Sequence, residues 1–349
     1  MLEKLSKAVY ILNLKEKKMK KRKKTALIMC VLLSFLLLTA CSSQSASNDN
    51  KVVIYSSSED YRNEYLVKRL KEQFPDYDIT LQYQSTGNNA AKLKAEGKDT
   101  ECDIVLGLET GYLESLKNNL ADLSDYDTSM YLDNMVDPDH RYLVWERFSG
   151  GIIVNTKVLS EKGLPEPASY QDLLKPEYKG LISMPNPKSS GTGYIFLLNL
   201  VNAMGEEQAF QYFDALSQNI LQFTSSGSGP VNALVQGEAA IGLGMTFQAV
   251  KEINNDVALK IIYFSEGAPY TTGGYAMIEG KQSKQAVKDV FDYINSTLIY
   301  EDKDQFLPEQ IFKEQINTMA NYPSPIPYAD MKGINDNSEK DRLLTEWKY

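Results

Sequence analysis

The order of predicted strands and helices constrains the fold of this chain more than any other feature of its sequence. Short apolar runs typical of buried strands lie at residues 51–55, 78–83 and 103–107. Segments with helical periodicity follow them, with apolar positions such as Leu66, Leu70 and Leu93. This alternation predicts an α/β fold with a parallel sheet and helices on both of its faces.

A second set of strands and helices continues the alternation. It comprises predicted strands at 151–155, 180–184, 239–244, 258–264 and 274–278, and helices from about Gly193 and over 206–216. A helical C-terminal region with a proline-rich segment at 323–327 follows. The pattern predicts two α/β lobes, and in such sheets ligands bind at the carboxyl ends of the strands.

The distribution of charge excludes nucleic acid as a partner. Residues 1–40 hold ten of the 37 lysines and arginines and two of the 46 acidic residues, so the other 309 residues carry a net charge of −17. Nucleic-acid binding needs clustered basic side chains instead. His140 is the only histidine, and the three cysteines form no CxxC pair. Because these counts disfavour zinc sites and Ser-His catalysis, we expect a protein that is not an enzyme.

The first 40 residues have the pattern of a secretory signal peptide. A basic cluster at 20–24 precedes the apolar run 26–38, which is shorter than the roughly 20 residues of a transmembrane helix. The run ends in LTAC at Cys41, which resembles the lipobox of bacterial lipoproteins. The resemblance implies a lipid anchor at Cys41 on the extracytoplasmic face of the membrane, followed by a flexible tether over 41–50. Met19 is an alternative start, and an uncleaved signal anchor is the alternative to processing.

Clusters of Ser, Thr and Gly lie at four places where a predicted strand gives way to a helix. They are residues 56–58, 85–87, 189–193 and 224–229. The free N–H groups and the positive dipole end of a helix N-terminus suit an anion, and hydroxyl groups add further donors. Ordinary N-capping accounts for any one cluster. Four clusters in equivalent loops favour an oxyanion site between the lobes.

Two longer motifs establish a resemblance to a known family. Residues 165–180 read PxxASYQDLLKPEYKG, and residues 185–194 read PNPxSSGTGY. With GEAAIG at 237–242 and GGYAM at 273–277, they resemble the extracellular solute-binding proteins of ABC importers, in the branch for ferric iron, 2-aminoethylphosphonate or sugar phosphates. The likeness covers nearly all of residues 51–330.

The resemblance implies the type II periplasmic binding protein fold, in which a two-strand hinge joins two doubly wound lobes. We place the crossing strands at 147–155 and 264–275, the first lobe at 51–148 with 270–349, and the second lobe at 149–269. The implied protein is a monomer without cofactor or metal that delivers a small anionic solute to a membrane permease.

Thirteen positions are candidate ligand-binding residues. They comprise members of the four clusters, Arg147 as a bidentate partner for phosphate or phosphonate, Thr246 as a neutral donor, and Tyr275, which with Trp145 would flank an organic tail. Asp60, Glu109 and Glu146 would meet an amine if the solute carries one. The full set is Ser57, Ser58, Thr86, Gly87, Arg147, Ser189, Ser190, Gly191, Thr192, Ser225, Ser226, Thr246 and Tyr275.

The identity of the solute stays open between two classes. A phosphonate, such as 2-aminoethylphosphonate, or a sugar or organic phosphate is the preferred class. Iron-binding members of the branch use a Tyr-Tyr pair, whereas this chain has 22 tyrosines without an adjacent pair and reads MTFQ at 245–248. Ferric iron is therefore the alternative solute, and a sensor or adhesin with the same fold is the alternative function.

Overall fold

The computed structural model describes residues 48–349, and nine strands in this range form one sheet. The predicted signal peptide, Cys41 and most of the tether lie outside the described residues. The strands are β1 Lys51–Ser56, β2 Asp78–Tyr83, β3 Ile104–Glu109, β4 Leu143–Asn155, β5 Ile182–Pro185, β6 Ile220–Thr224, β7 Ile241–Met245, β8 Leu259–Ile262 and β9 Tyr270–Met277.

The helices fill the connections between these strands and the C-terminal region. They are α1 Asp60–Gln73, α2 Thr86–Glu96, α3 Thr110–Leu116, α4 Thr156–Glu161, α5 Gly191–Met204, α6 Glu206–Leu216, α7 Gly229–Val235, α8 Thr246–Asn254, α9 Gln285–Tyr293, α10 Ile299–Gln305 and α11 Asn337–Glu346. Within residues 48–349, no helix has both the length and the apolar character needed to cross a membrane.

The sheet is mixed rather than purely parallel. Its order is β2-β1-β3-β9-β4-β7-β5-β6, with β8 paired to β4. Strand β1 is parallel to β2 and β3, and β5 is parallel to β6 and β7, as the strand–helix alternation predicts. Strands β4 and β9 run antiparallel to their neighbours, because they connect the two parallel groups rather than belong to either.

Strand β4 passes from one part of the sheet to the other. Its residues 143–149 pair with β9, and its residues 150–155 pair with β7 and β8. We call β2, β1, β3, β9 and residues 143–149 the first half of the sheet, and residues 150–155 with β5, β6, β7 and β8 the second half. The strand predicted at 151–155 is thus the second part of a strand of 13 residues.

Each half of the sheet has its own hydrophobic core. The first core includes β1, β3, Phe291 and Cys102, the last buried as the sequence predicts. The second core includes α5 and α6, but also Leu343 and Trp347 from the C-terminal region. Trp347 packs edge-on against Phe213, with ring centroids 5.1 Å apart. The C-terminal helix therefore packs with the second half, whereas the sequence prediction assigned all of 270–349 to the first lobe.

Candidate functional site

A cavity of about 250 Å³ lies where six strand-to-helix connections meet. The connections follow β1, β2, β3, β5, β6 and β7, so both halves of the sheet contribute at the carboxyl ends of strands. The first wall, from the first half, consists of Ser57, Glu59, Asp60, Tyr61, Tyr83, Ser85, Thr86, Gly107, Glu109, Glu146 and Phe148. The second wall, from the second half, consists of Ser189, Ser190, Gly191, Thr192, Ser226, Gly227, Ser228, Asn232, Met245, Gln248, Lys251 and Glu252.

The structure brings seven of the thirteen predicted residues to this cavity. They are Ser57, Thr86, Ser189, Ser190, Gly191, Thr192 and Ser226. Gly87 and Ser225 instead line an adjoining groove of about 1050 Å³, which shares Ser189 and Ser226 with the cavity. The hydroxyl clusters thus converge from four loops, and they form one continuous cleft with two compartments.

Two predicted hydroxyl residues lie behind the cavity surface. Ser58 is buried, its N–H donates to Ser56 Oγ at 3.2 Å, and its carbonyl accepts from Asn63 at 2.7 Å. Thr246 is buried too, and its Oγ1 accepts from Ser149 Oγ at 2.9 Å. These contacts support the loops that carry the site, so the two residues shape the cavity from behind.

Arg147 and Tyr275 are directed away from the cavity. Successive side chains of a strand point to opposite faces, and on β4 the neighbours Glu146 and Phe148 are the ones that line the cavity. The Arg147 guanidinium lies 4.4 Å from the ring centroid of Tyr328. Tyr275 is fully buried in the first core, where its hydroxyl donates to Asn295 at 2.6 Å. The predicted ligand roles of Arg147 and Tyr275 are not supported by this placement.

The cavity contains more carboxylates than the sequence predicted. Asp60, Glu109 and Glu146, considered above for an amine, all line it, and Glu59 and Glu252 join them. No sequence motif surrounds Glu59 or Glu252. The position of Glu59 in the first strand-to-helix loop is the one feature of the sequence that could have indicated its place in the cavity.

Arg62 is the cation that holds two of these carboxylates. It is buried, and it donates to Asp302 through both Nε and Nη2 at 2.9 Å, to Glu59 at 3.1 Å and to Glu146. Burial raises the pKa of the Glu59 carboxyl despite the opposing attraction of Arg62. Burial also acts to raise the pKa of Asp302, but the nearby Arg62 and Lys303 outweigh it and lower that pKa.

The second wall presents a cluster of hydrogen-bond donors. Ser190 and Thr192 are nearly buried at the start of α5, where the first N–H groups of a helix have no intrahelical partner. Ser226 and Ser228 lie 3.0 Å apart through their hydroxyl oxygens. Gln248 donates to Asn232 at 3.1 Å beside them. This wall can donate several hydrogen bonds to an oxyanion.

A family of known proteins matches the part of the chain that forms most of this cavity. Residues 107–306 match the family model of the bacterial extracellular solute-binding proteins, which is more than half of the sequence. The chain belongs to this family.

Individual relatives refine the comparison. An uncharacterized protein of Haemophilus influenzae is 28% identical over 237 residues, covering 62% of this chain and 65% of the relative. The phosphoglycerate transport regulatory protein PgtC of Salmonella typhimurium is 27% identical over 118 residues, covering 34% of this chain and 30% of PgtC. The chain therefore spans less than two thirds of the length of the curated relatives it matches.

A solved structure gives the fold its name. The periplasmic binding protein AfuA from Actinobacillus pleuropneumoniae, with fructose 6-phosphate bound, superimposes with a TM-score of 0.75 at 23% identity. The match covers 85% of this chain and 97% of AfuA. The type II periplasmic binding protein fold predicted from the sequence is confirmed.

Proposed function

We propose that this protein is the solute-binding component of an ABC importer and that it captures a small sugar phosphate or similar organic phosphate. The observation that carries the proposal is the unequal chemistry of the two walls. The second wall offers hydroxyl and amide donors at the start of α5, and the first wall offers carboxylates. A solute with an oxyanion at one end and hydroxyl groups at the other matches both walls.

The phosphate of the solute binds the second wall. Ser190 and Thr192 donate to its oxygens from the start of α5, and Ser226 and Ser228 donate from the adjacent loop. Charge-assisted hydrogen bonds of this kind are short and strong, and a helix N-terminus favours negative charge. The first wall is unsuited to a phosphate because ionised carboxylates are acceptors that repel it.

The sugar hydroxyls bind the first wall. Glu59 and Glu146 lie in the cavity with their carboxylates fixed by Arg62, so they are oriented acceptors for hydroxyl donors. A cavity of about 250 Å³ suits a solute of monosaccharide size. AfuA, which was solved with fructose 6-phosphate bound, and PgtC, a phosphoglycerate transport regulatory protein, support a phosphorylated organic solute.

An aminophosphonate is the second candidate solute. The ammonium group of 2-aminoethylphosphonate would pair with the carboxylates of the first wall while its phosphonate binds the second wall. Ferric iron is less well supported, because the phenols that line the cavity belong to Tyr61 and Tyr83, and burial raises the pKa of both. Phenolate ligands would therefore form at a cost.

Titration calorimetry of the purified full chain tests the proposal. The ligands are fructose 6-phosphate, 2-aminoethylphosphonate, inorganic phosphate, fructose and ferric citrate. We expect binding of a phosphorylated or phosphonate compound and a loss of about a hundredfold or more in affinity in the Ser190→Ala/Thr192→Ala variant, since each lost bond to a charged group is worth about 1.5–3 kcal/mol. Ser190 makes no side-chain capping bond, and we expect the double variant to retain its fold.

Thr156→Ala is the matched control, because Thr156 is a half-buried hydroxyl residue at the start of α4 outside the cavity. Unchanged affinity in the double variant contradicts the placement of the phosphate. Binding of ferric citrate alone contradicts the solute class.

We further propose the surroundings in which the protein works. Cys41 carries a lipid anchor on the extracytoplasmic face of the membrane, and the protein acts as a monomer that binds without catalysis and passes its solute to a permease. PgtC is a regulatory protein of phosphoglycerate transport, which makes a role as a sensor the second candidate function for this chain. Deletion of the gene separates the two roles, because an importer component is required for uptake of the solute and a sensor for the transcriptional response to it.

A further inference from the structure

Glu109 is one of the residues through which the two walls touch. It ends β3 in the first half of the sheet, yet its carboxylate packs directly on Gly191, the first residue of α5. A Cβ at Gly191 would overlap Oε1 of Glu109, so a residue with a side chain cannot stand there without displacing it. A carboxylate thus lies beside the helix start to which the proposed function assigns the solute phosphate.

Lys340 compensates the charge of Glu109. Its Nζ lies 2.8 Å from Oε2 of Glu109, and both side chains are nearly buried. The ammonium is enclosed by the rings of Tyr112 and Tyr194, with centroids at 4.1 and 4.6 Å. Burial alone would lower the pKa of the ammonium, but the Glu109 carboxylate and Tyr112 raise it overall, so Lys340 is charged at neutral pH.

The C-terminal region holds Lys340 in this position. The Asp336 side chain caps the start of α11 by accepting hydrogen bonds from the N–H groups of Ser338 and Glu339. Leu343 packs in the second core and holds the helix there. Asn335 accepts a hydrogen bond at 2.9 Å from the hydroxyl of Thr110, the residue that follows Glu109 in the first half. Lys340 lies beyond residues 107–306, the segment that matches the family model.

We propose that Lys340 is a specificity-determining positioning residue, which admits an anionic solute by neutralising Glu109 in the cavity wall. The inference rests on the proposed function, because it concerns the charge of the solute bound at the same site. Lys340 acts through Glu109, which lines the cavity, and not by contact with the solute.

The electrostatics of the pair give the two single substitutions opposite effects. Lys340→Met leaves an uncompensated carboxylate next to the phosphate, and Glu109→Gln leaves an uncompensated ammonium there. At the effective dielectric constant of about 20 that suits protein sites, a unit charge a few ångströms away changes anion affinity at least tenfold. A merely structural role of the pair would weaken binding in both variants.

Titration calorimetry with fructose 6-phosphate and 2-aminoethylphosphonate, on the full chain and its variants, tests the proposal. We expect Lys340→Met to weaken binding at least tenfold and Glu109→Gln to strengthen it at least tenfold. The double variant Glu109→Gln/Lys340→Met should return to within threefold of the wild type, and Lys340→Arg should bind like the wild type. Lys284→Met is the matched control, since it also removes the ammonium of a lysine paired with a buried carboxylate. Lys284 lies 2.9 Å from Asp103, which directly precedes the first residue of β3, at the end of the strand opposite to Glu109.

The outcomes separate this inference from the proposed function. A wild type that binds neither probe overturns both. A wild type that binds one of them, with Glu109→Gln equal to or weaker than the wild type, overturns the role of Lys340 and leaves the proposed function standing. The Glu109→Gln arm decides the matter even if Lys340→Met fails to fold, because it retains the buried ammonium and its tyrosine contacts.

Discussion

Replacement of Arg62 by methionine tests the charge network behind the first wall. Arg62 is the shared cation of Glu59, Glu146 and Asp302, and it is almost fully buried with the last two. The substitution leaves these carboxylates without their common partner. Breaking a buried ion pair by removing one member costs about 3–5 kcal/mol, so we expect Arg62→Met to destabilise the protein by that amount.

The size of the protein converts this loss into a melting temperature. Unfolding entropy is about 2.1 cal/mol/K per residue, or about 0.6 kcal/mol/K for the roughly 300 residues of the unit Asp49–Tyr349. The expected decrease in Tm is therefore about 5–8 °C by differential scanning calorimetry. It should shrink as the pH falls from 7 to 5, because unpaired buried carboxylates have raised pKa values in the folded state and bind protons there more tightly than in the unfolded chain.

Arg69→Met is the control for this experiment. Arg69 lies on the same helix, α1, and pairs at 2.7 Å with Glu301, the neighbour of Asp302, but at the protein surface. Surface ion pairs contribute little to stability, so this variant should melt close to the wild type. A Tm for Arg62→Met that is no lower than that for Arg69→Met would refute the reasoning about the buried network.

Three further changes probe other contacts. Gly191→Ala places a Cβ on the carboxylate of Glu109, which must then move, and should weaken solute binding by calorimetry; normal binding in this variant would contradict the close contact. Burial raises the pKa of Glu309, so the contribution of its carboxyl to the free energy of unfolding declines as the pH rises through that pKa. Urea unfolding at pH 5 and 8 should therefore show a smaller decline in the free energy of unfolding for Glu309→Gln than for the wild type. Equal declines in the two proteins would contradict this role of Glu309. Tyr275→Phe removes the bond to Asn295 and should cost about 0.5–1.5 kcal/mol in urea unfolding without a change in solute affinity.

Local sequence signals predicted the elements that carry the hydroxyl groups. The helix predicted at 206–216 has those bounds in the structure, and the start of α5 at Gly191 lies two residues from its predicted position. Ser190 and Thr192 reach the cavity because a turn directly after a strand is placed by the sheet itself. For residues of this kind, the neighbouring sequence contains the information that positions them.

Residues positioned by distant partners were beyond such reasoning. Arg62 reaches the network through Asp302, which is 240 positions away, and no local pattern connects the two. Arg147 was assigned to the site on its charge and its position at the proposed hinge strand, although the alternation of β4 turns its neighbour Glu146 to the cavity. Charge type is visible in a sequence, whereas the face of a long strand depends on a register that the whole sheet determines.

The docking of Leu343 and Trp347 in the second core has a consequence for how the chain matures. Synthesis proceeds from the N-terminus, so the side chains that complete this core leave the ribosome long after the strands and helices they cover. Strands β5 to β7 and helices α5 and α6 are made well before the residues that cover them. Until then the second half exposes apolar surface and lacks its final shape. The second core therefore cannot be completed during synthesis before Leu343 and Trp347 have been added.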